Sequence, residues 1–183
     1  MKKIILALFL LSTFHAKAAD TLYIKQPQVP ILIERHDNVL LLMRLKATEI
    51  RTLDNIELTL DNSLPLNQIK AIKLYYGGTD ARQYDNKLRF APVDYVTGFT
   101  PGKTLRAIPS YVVLRSELQP TTHRLTLPAK QPLFPGVNYF WVSIEMQPTA
   151  ALHTTFNIAL REALGDNNPL TVENVGQPTP LRR

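Results

Sequence analysis

Residues 131–146, QPLFPGVNYFWVSIEM, carry the pattern that most limits what this chain can fold into. After a Pro135-Gly136 turn, Val137, Tyr139, Trp141, Ser143 and Glu145 fall on one parity. Asn138, Phe140, Val142, Ile144 and Met146 fall on the other, apolar after its first member. A period of two is that of a β-strand with one apolar face. The stretch holds the only Trp of the sequence. A strand of this kind is not stable alone in water, so the rest of the chain must supply a second layer.

Similar stretches recur along the sequence. Residues 19–29 predict an extended edge strand, with Thr21, Tyr23 and Lys25 opposite Leu22 and Ile24. Pro27 and Pro30 exclude that run from a central position. In residues 39–47 Met43, Leu45 and Ala47 alternate with Arg44 and Lys46. In residues 50–60 Ile56, Leu58 and Leu60 alternate with Glu57 and Thr59. In residues 69–76 Ile69, Ala71, Lys73 and Tyr75 oppose Lys70, Ile72, Leu74 and Tyr76, and Gly77-Gly78 ends the run with a turn. Shorter strands are expected over 110–114, over 124–127 between Pro120 and Pro128, and within 151–164. Residues 79–86 read as a polar loop, and residues 170–183, with Pro178 and Pro180, as a linker without a core pattern. About eight to ten short strands, frequent turns and no long segment of period 3.6 predict an all-β fold, an antiparallel β-sandwich.

Lys2 and Lys3, an uncharged apolar run over 4–14, and Ala16-Lys17-Ala18 together form the pattern of a secretory signal peptide over residues 1–18. The run is too short to span a bilayer and no second one follows, so no membrane span is expected. The expected location is secreted, periplasmic or at the cell surface. Removing Lys2, Lys3 and Lys17 takes the net charge from +6 to +3. The remaining basic residues are interleaved with acids, which argues against a nucleic-acid face. No cysteine is present, so an exported domain over residues 19–169 must be held by its core.

The sequence offers little catalytic chemistry. His15, His36, His123 and His153 lack metal-ligand spacing. There is no G-x-S-x-G elbow, no P-loop and no G-x-G-x-x-G run, so neither a cofactor nor a catalytic residue is assigned. Pairs such as Asp80 with Asp85, or Asp54 with Glu57, are of a kind found on any surface. What remains is a set of aromatics beside basic residues: Tyr75, Tyr76, Arg82, Tyr84, Arg89 and Tyr95, with Trp141 on the mixed face of its strand. Tyrosine offers a flat apolar face with a polar edge, which suits a sugar. Arginine offers a planar fork for a carboxylate. Together they suit an acidic sugar; the alternative is that the aromatics are core and the arginines solvated.

The segments IKAIKLYYGGTDA at 69–81, QPLFPGVNYFWVSIEM at 131–146 and VPILIERHDNVLLLMRLKAT at 29–48 give a resemblance that covers nearly all of residues 20–183. The chain resembles the amino-terminal module of Bacteroidetes exo-α-sialidases. The resemblance implies a jelly-roll-like β-sandwich that serves as a carbohydrate-binding module for sialylated glycans. It also implies a partner, a six-bladed β-propeller that removes terminal sialic acids with a tyrosine nucleophile, a glutamate, an aspartate and three arginines. A second implication is that the module packs on the propeller and stabilises it without binding glycan. The propeller's Ser-x-Asp-x-Gly-x-x-Trp boxes are missing from this sequence. Arg106-Ala107-Ile108-Pro109 has one residue more than the propeller's Arg-Ile-Pro motif, so no catalytic residue carries over. On this reading residues 170–183 lead toward a catalytic domain outside the sequence.

Overall fold

The computed structural model describes residues 20–26, 31–33, 35–62, 65–79, 113–151, 155–174 and 181–182. The apolar alternations form strands: β1 (Thr21–Lys25), β2 (Asn38–Ala47), β3 (Arg51–Leu60), β4 (Ile69–Gly78), β5 (Val113–Leu118), β6 (Arg124–Leu133) and β7 (Gly136–Met146). They continue as β8 (Thr155–Phe156), β9 (Ile158–Gly165), β10 (Asn168–Pro169), β11 (Thr171–Asn174) and β12 (Leu181–Arg182). One sheet has the order β11-β1-β2-β7-β4-β5 and the other β10-β9-β3-β6, while β8 and β12 pair separately. From β2 to β7 the chain changes sheet between β2 and β3, β3 and β4, β5 and β6, and β6 and β7, and it crosses back once more between β10 and β11. Among the described residues, every pairing is antiparallel except β1 with β11. The architecture is an all-β sandwich, as the alternation predicts.

The apolar parity of β7 forms the centre of the core. Phe140, Val142, Ile144 and Met146 pack with Leu41, Met43 and Leu45 of β2 and with Ile72 and Leu74 of β4. Opposite them lie Leu53, Ile56 and Leu58 of β3 and Leu125 and Leu127 of β6. Removing each such side chain from water contributes about 1.5–3 kcal/mol, which accounts for a stable domain without disulfides. Tyr76 belongs to this inner set and donates its hydroxyl to Asn138 Oδ1 at 3.2 Å.

Three expectations are corrected. First, β1 is not an edge strand, because it pairs with β2 on one side and with β11 on the other. Second, the strand expected at 124–127 runs on to Leu133 through Pro128 and Pro132. It can do so because β6 is an edge, where one side of the backbone needs no donor. Third, the tail does not begin as a linker: Leu170 is buried and Thr171–Asn174 is a strand of the larger sheet. The signal peptide expected over 1–18 lies outside the described residues, as does most of the polar loop expected over 79–86.

Among the described residues, β5 and β6 are edges of the two sheets, and the Arg115 side chain links them. A register shift after Leu74 leaves Arg115 unpaired in the ladder. Arg115 donates Nε to the Ala129 carbonyl at 2.9 Å and Nη2 to the Lys130 carbonyl at 2.6 Å. The arginine thus closes one side of the sandwich and blunts both edges against pairing with another chain.

Candidate functional site

The second parity of β7 lies on the outer face of the six-stranded sheet, and it is buried as well. Trp141 is 0% exposed and sits in register between Leu42 of β2 and Tyr75 of β4. The Trp141 and Tyr75 rings stack with centroids 5.2 Å apart. Next along the same face come Ser143 and Lys73, paired in register, and then Glu145 and Ala71.

These polar groups form one connected network. Glu145 accepts from Lys70 Nζ at 2.6 Å and from Lys73 Nζ at 2.8 Å, and His36 Nδ1 lies 2.9 Å from the same carboxylate. Lys73 Nζ also donates to the His36 carbonyl at 3.0 Å. Asp37 Oδ1 accepts the Tyr75 hydroxyl at 2.9 Å and the Ser143 hydroxyl at 2.7 Å, and stands 3.9 Å from Lys73 Nζ. The turn bearing His36 and Asp37 is held on β7 by Asn38, whose Nδ2 donates to the carbonyls of Leu32, Arg35 and Ile144. A mixed strand face can therefore be buried when each polar group finds its partner on a neighbouring strand.

The charges follow from this packing. Burial alone would push the Glu145 carboxyl up, but hydrogen bonds from Lys70, Lys73 and His36 outweigh it and bring it down to about 2. Burial, reinforced by the Asp37 carboxylate, pushes the Tyr75 hydroxyl far above its ordinary value, so Tyr75 stays a neutral donor. For Glu145 the folded value lies below the ordinary 4.5, so its stabilisation is complete above that pH and is lost as pH falls from 4.5 toward 2. Integrated over that window, the group contributes up to about 3 kcal/mol. Urea unfolding at a series of pH values checks this: Glu145→Gln is expected to flatten the acid limb by that amount. An unchanged limb would show that the network does not act on stability.

Of the residues the sequence singled out, the structure brings together only Tyr75 and Trp141, which stack beneath the surface as part of the packing. Tyr76 faces the opposite way, into the core. Arg82, Tyr84, Arg89 and Tyr95 lie outside the described residues. The residues that sequence reasoning passed over are Asp37, Lys73 and Glu145. The signal was present: Lys73 interrupts an apolar strand, as does Glu145, and their charges are opposite. Among the described residues, no group of three His, Asp or Glu side chains is arranged to hold a metal ion, and no helix is long and apolar enough to cross a membrane.

Fold and face define a class: a two-sheet β-sandwich module with an aromatic and ionic network on the outer face of its larger sheet. The chain belongs to the family described as the N-terminal domain of BNR-repeat neuraminidase, whose model matches residues 19–169. A protein of Bacteroides fragilis (strain YCH46) named "Sialidase" is 48% identical over 144 residues, which are 79% of this chain and 26% of that protein. The solved structure of Hadza microbial sialidase Hz136 superimposes with a TM-score of 0.73 at 32% identity, covering 87% of this chain and 30% of that one. The chain thus spans less than a third of either relative.

Proposed function

We propose that this chain is the N-terminal domain of an exported sialidase and that it binds sialylated glycans, holding a catalytic β-propeller near its substrate. The mechanism is effective concentration: a tethered second binding event is intramolecular, so a weak module strengthens the action of its partner. The observation that carries the reading is the family match across residues 19–169, joined to relatives named as sialidases of which the chain spans 26% and 30%. Export rests on the leader pattern of residues 1–18, and the intact mass of the exported chain would reveal its removal.

Calorimetric titration of the folded chain with sialyllactose tests the proposal. Saturable binding at millimolar ligand, absent with lactose, is expected. No heat at that concentration overturns glycan binding and leaves the packing role. Exposed Ile50 (75%) and Phe134 (54%), both at the end of the sandwich where β2 meets β3 and β6 meets β7, offer apolar contact points for that role.

A further inference from the structure

The outer face of the six-stranded sheet changes character between its middle and its β1–β2 side. In the middle, every cation of the network is paired with Glu145 or Asp37. On the β1–β2 side the residues facing outward are Tyr23 and Lys25 of β1 and Arg44 and Lys46 of β2. Tyr23 pairs with Arg44 in register, and Thr21 with Lys46. The Arg44 guanidinium lies over the Tyr23 ring, 4.7 Å from its centroid. Elsewhere Arg51 donates to Asp20, Arg115 to two carbonyls and Arg124 to Glu57. Among the described residues, no carboxylate or carbonyl accepts from Arg44, and none pairs with Lys25 or Lys46. Arg44 is half-buried, which weakens its hydration and strengthens any charge it meets.

From this arrangement we infer that Arg44, resting over the Tyr23 ring and flanked by Lys25 and Lys46, is the seat for the carboxylate of an acidic sugar. The inference rests on the glycan-binding reading and gives it a location, away from the stacked Tyr75 and Trp141. A guanidinium is a planar fork that meets a carboxylate with two parallel hydrogen bonds. Cation–π contact with Tyr23 holds the guanidinium in place without consuming its donors. Lys25 and Lys46 add point charges that favour an anion over a neutral sugar. At register positions, Glu173 of β11 stands beside Tyr23 on the far side from Arg44. Tyr139 of β7 stands beside Arg44. The carboxylate can come from a sialic acid or from a uronic acid, so both are tested.

The experiment titrates the folded chain with sialyllactose, a galacturonate oligosaccharide, lactose and sodium acetate, following amide shifts by NMR. Shifts are expected to concentrate on β1 and β2 with one or both acidic sugars and to be absent with lactose. Arg44→Gln should weaken binding roughly 10- to 100-fold, the loss of a charge-assisted pair. Arg44→Lys should restore part of it, and Tyr23→Leu, which removes the ring against which Arg44 rests, should also weaken binding. Arg161→Gln, on the four-stranded sheet, serves as the control for net charge and should bind as the parent does. Unchanged affinity in Arg44→Gln overturns the assignment while leaving glycan binding intact. Acetate binding as tightly as the sugars overturns it in favour of an unselective anion site. No binding of either acidic sugar by the parent chain overturns both the assignment and the glycan-binding reading.

Discussion

Glu145→Ala is expected to lower the stability of the domain by about 3 kcal/mol, the lower part of the range for breaking a buried ion pair from one side. The reason is the lysine left behind. Lys73 is 7% exposed, and its ammonium sits 2.8 Å from Glu145. Without that carboxylate it keeps the His36 carbonyl at 3.0 Å and Asp37 at 3.9 Å, enough to soften the loss but not to replace an ion pair. For a domain of this size, that free energy corresponds to a fall in Tm of roughly 6–12 °C. Thermal unfolding measures it directly. The diagnostic comparison is the double variant Glu145→Leu with Lys73→Met, in which both charges leave together. Replacing both members of a buried pair by apolar groups of similar size is often close to neutral, so the double variant should be more stable than Glu145→Ala. A single variant that loses less than about 1 kcal/mol would mean that Lys73 is effectively solvated, as in a surface pair.

That prediction depends on a feature the alternation hid. The inner parity of β7 was legible because Phe140, Val142, Ile144 and Met146 are all apolar, and no other arrangement removes four such side chains from water on one face. The same logic gave β2, β3 and β4. A mixed face such as Tyr139, Trp141, Ser143 and Glu145 reads as solvent-facing because isolated polar groups resist burial. Its burial depends on Asp37 and Lys73, which are distant in sequence and meet Ser143 and Glu145 only through the pairing of β7 and β4 and the turn before β2. Long-range pairing of that kind leaves no local trace. Pro128 misled for a related reason. A proline marks the end of a central strand but not of an edge, and edge status is a property of the assembled sheet. The β11 strand was missed because Thr171–Asn174 has too few residues to display a period, and its partner β1 is about 150 residues away.

Trp141→Ala carries the largest expected cost and decides what this ring is for. The side chain is 0% exposed, between Leu42 and Tyr75 on the outer face of the sheet. Truncating a buried tryptophan to alanine costs about 3–5 kcal/mol through lost transfer energy and the cavity left behind. The stacked pair with Tyr75, at 5.2 Å, adds about 0.5–1.5 kcal/mol beyond its buried area. The sum is a large share of the stability of an ordinary domain, so Trp141→Ala is expected to unfold partly at growth temperature. Lost glycan binding in that variant would say nothing about contact with sugar. Trp141→Phe separates the two roles, since it keeps a ring against Tyr75 and leaves a smaller void. A packing residue predicts a loss of about 1–2 kcal/mol in Trp141→Phe and the affinity of the parent chain for sialyllactose. A residue that touches sugar predicts the reverse: near-parental stability and a clear loss of affinity. Stability from urea unfolding and affinity from calorimetry, measured on the same preparation, distinguish the outcomes. Burial of the ring on a face where Leu42 and Tyr75 already enclose it favours the first.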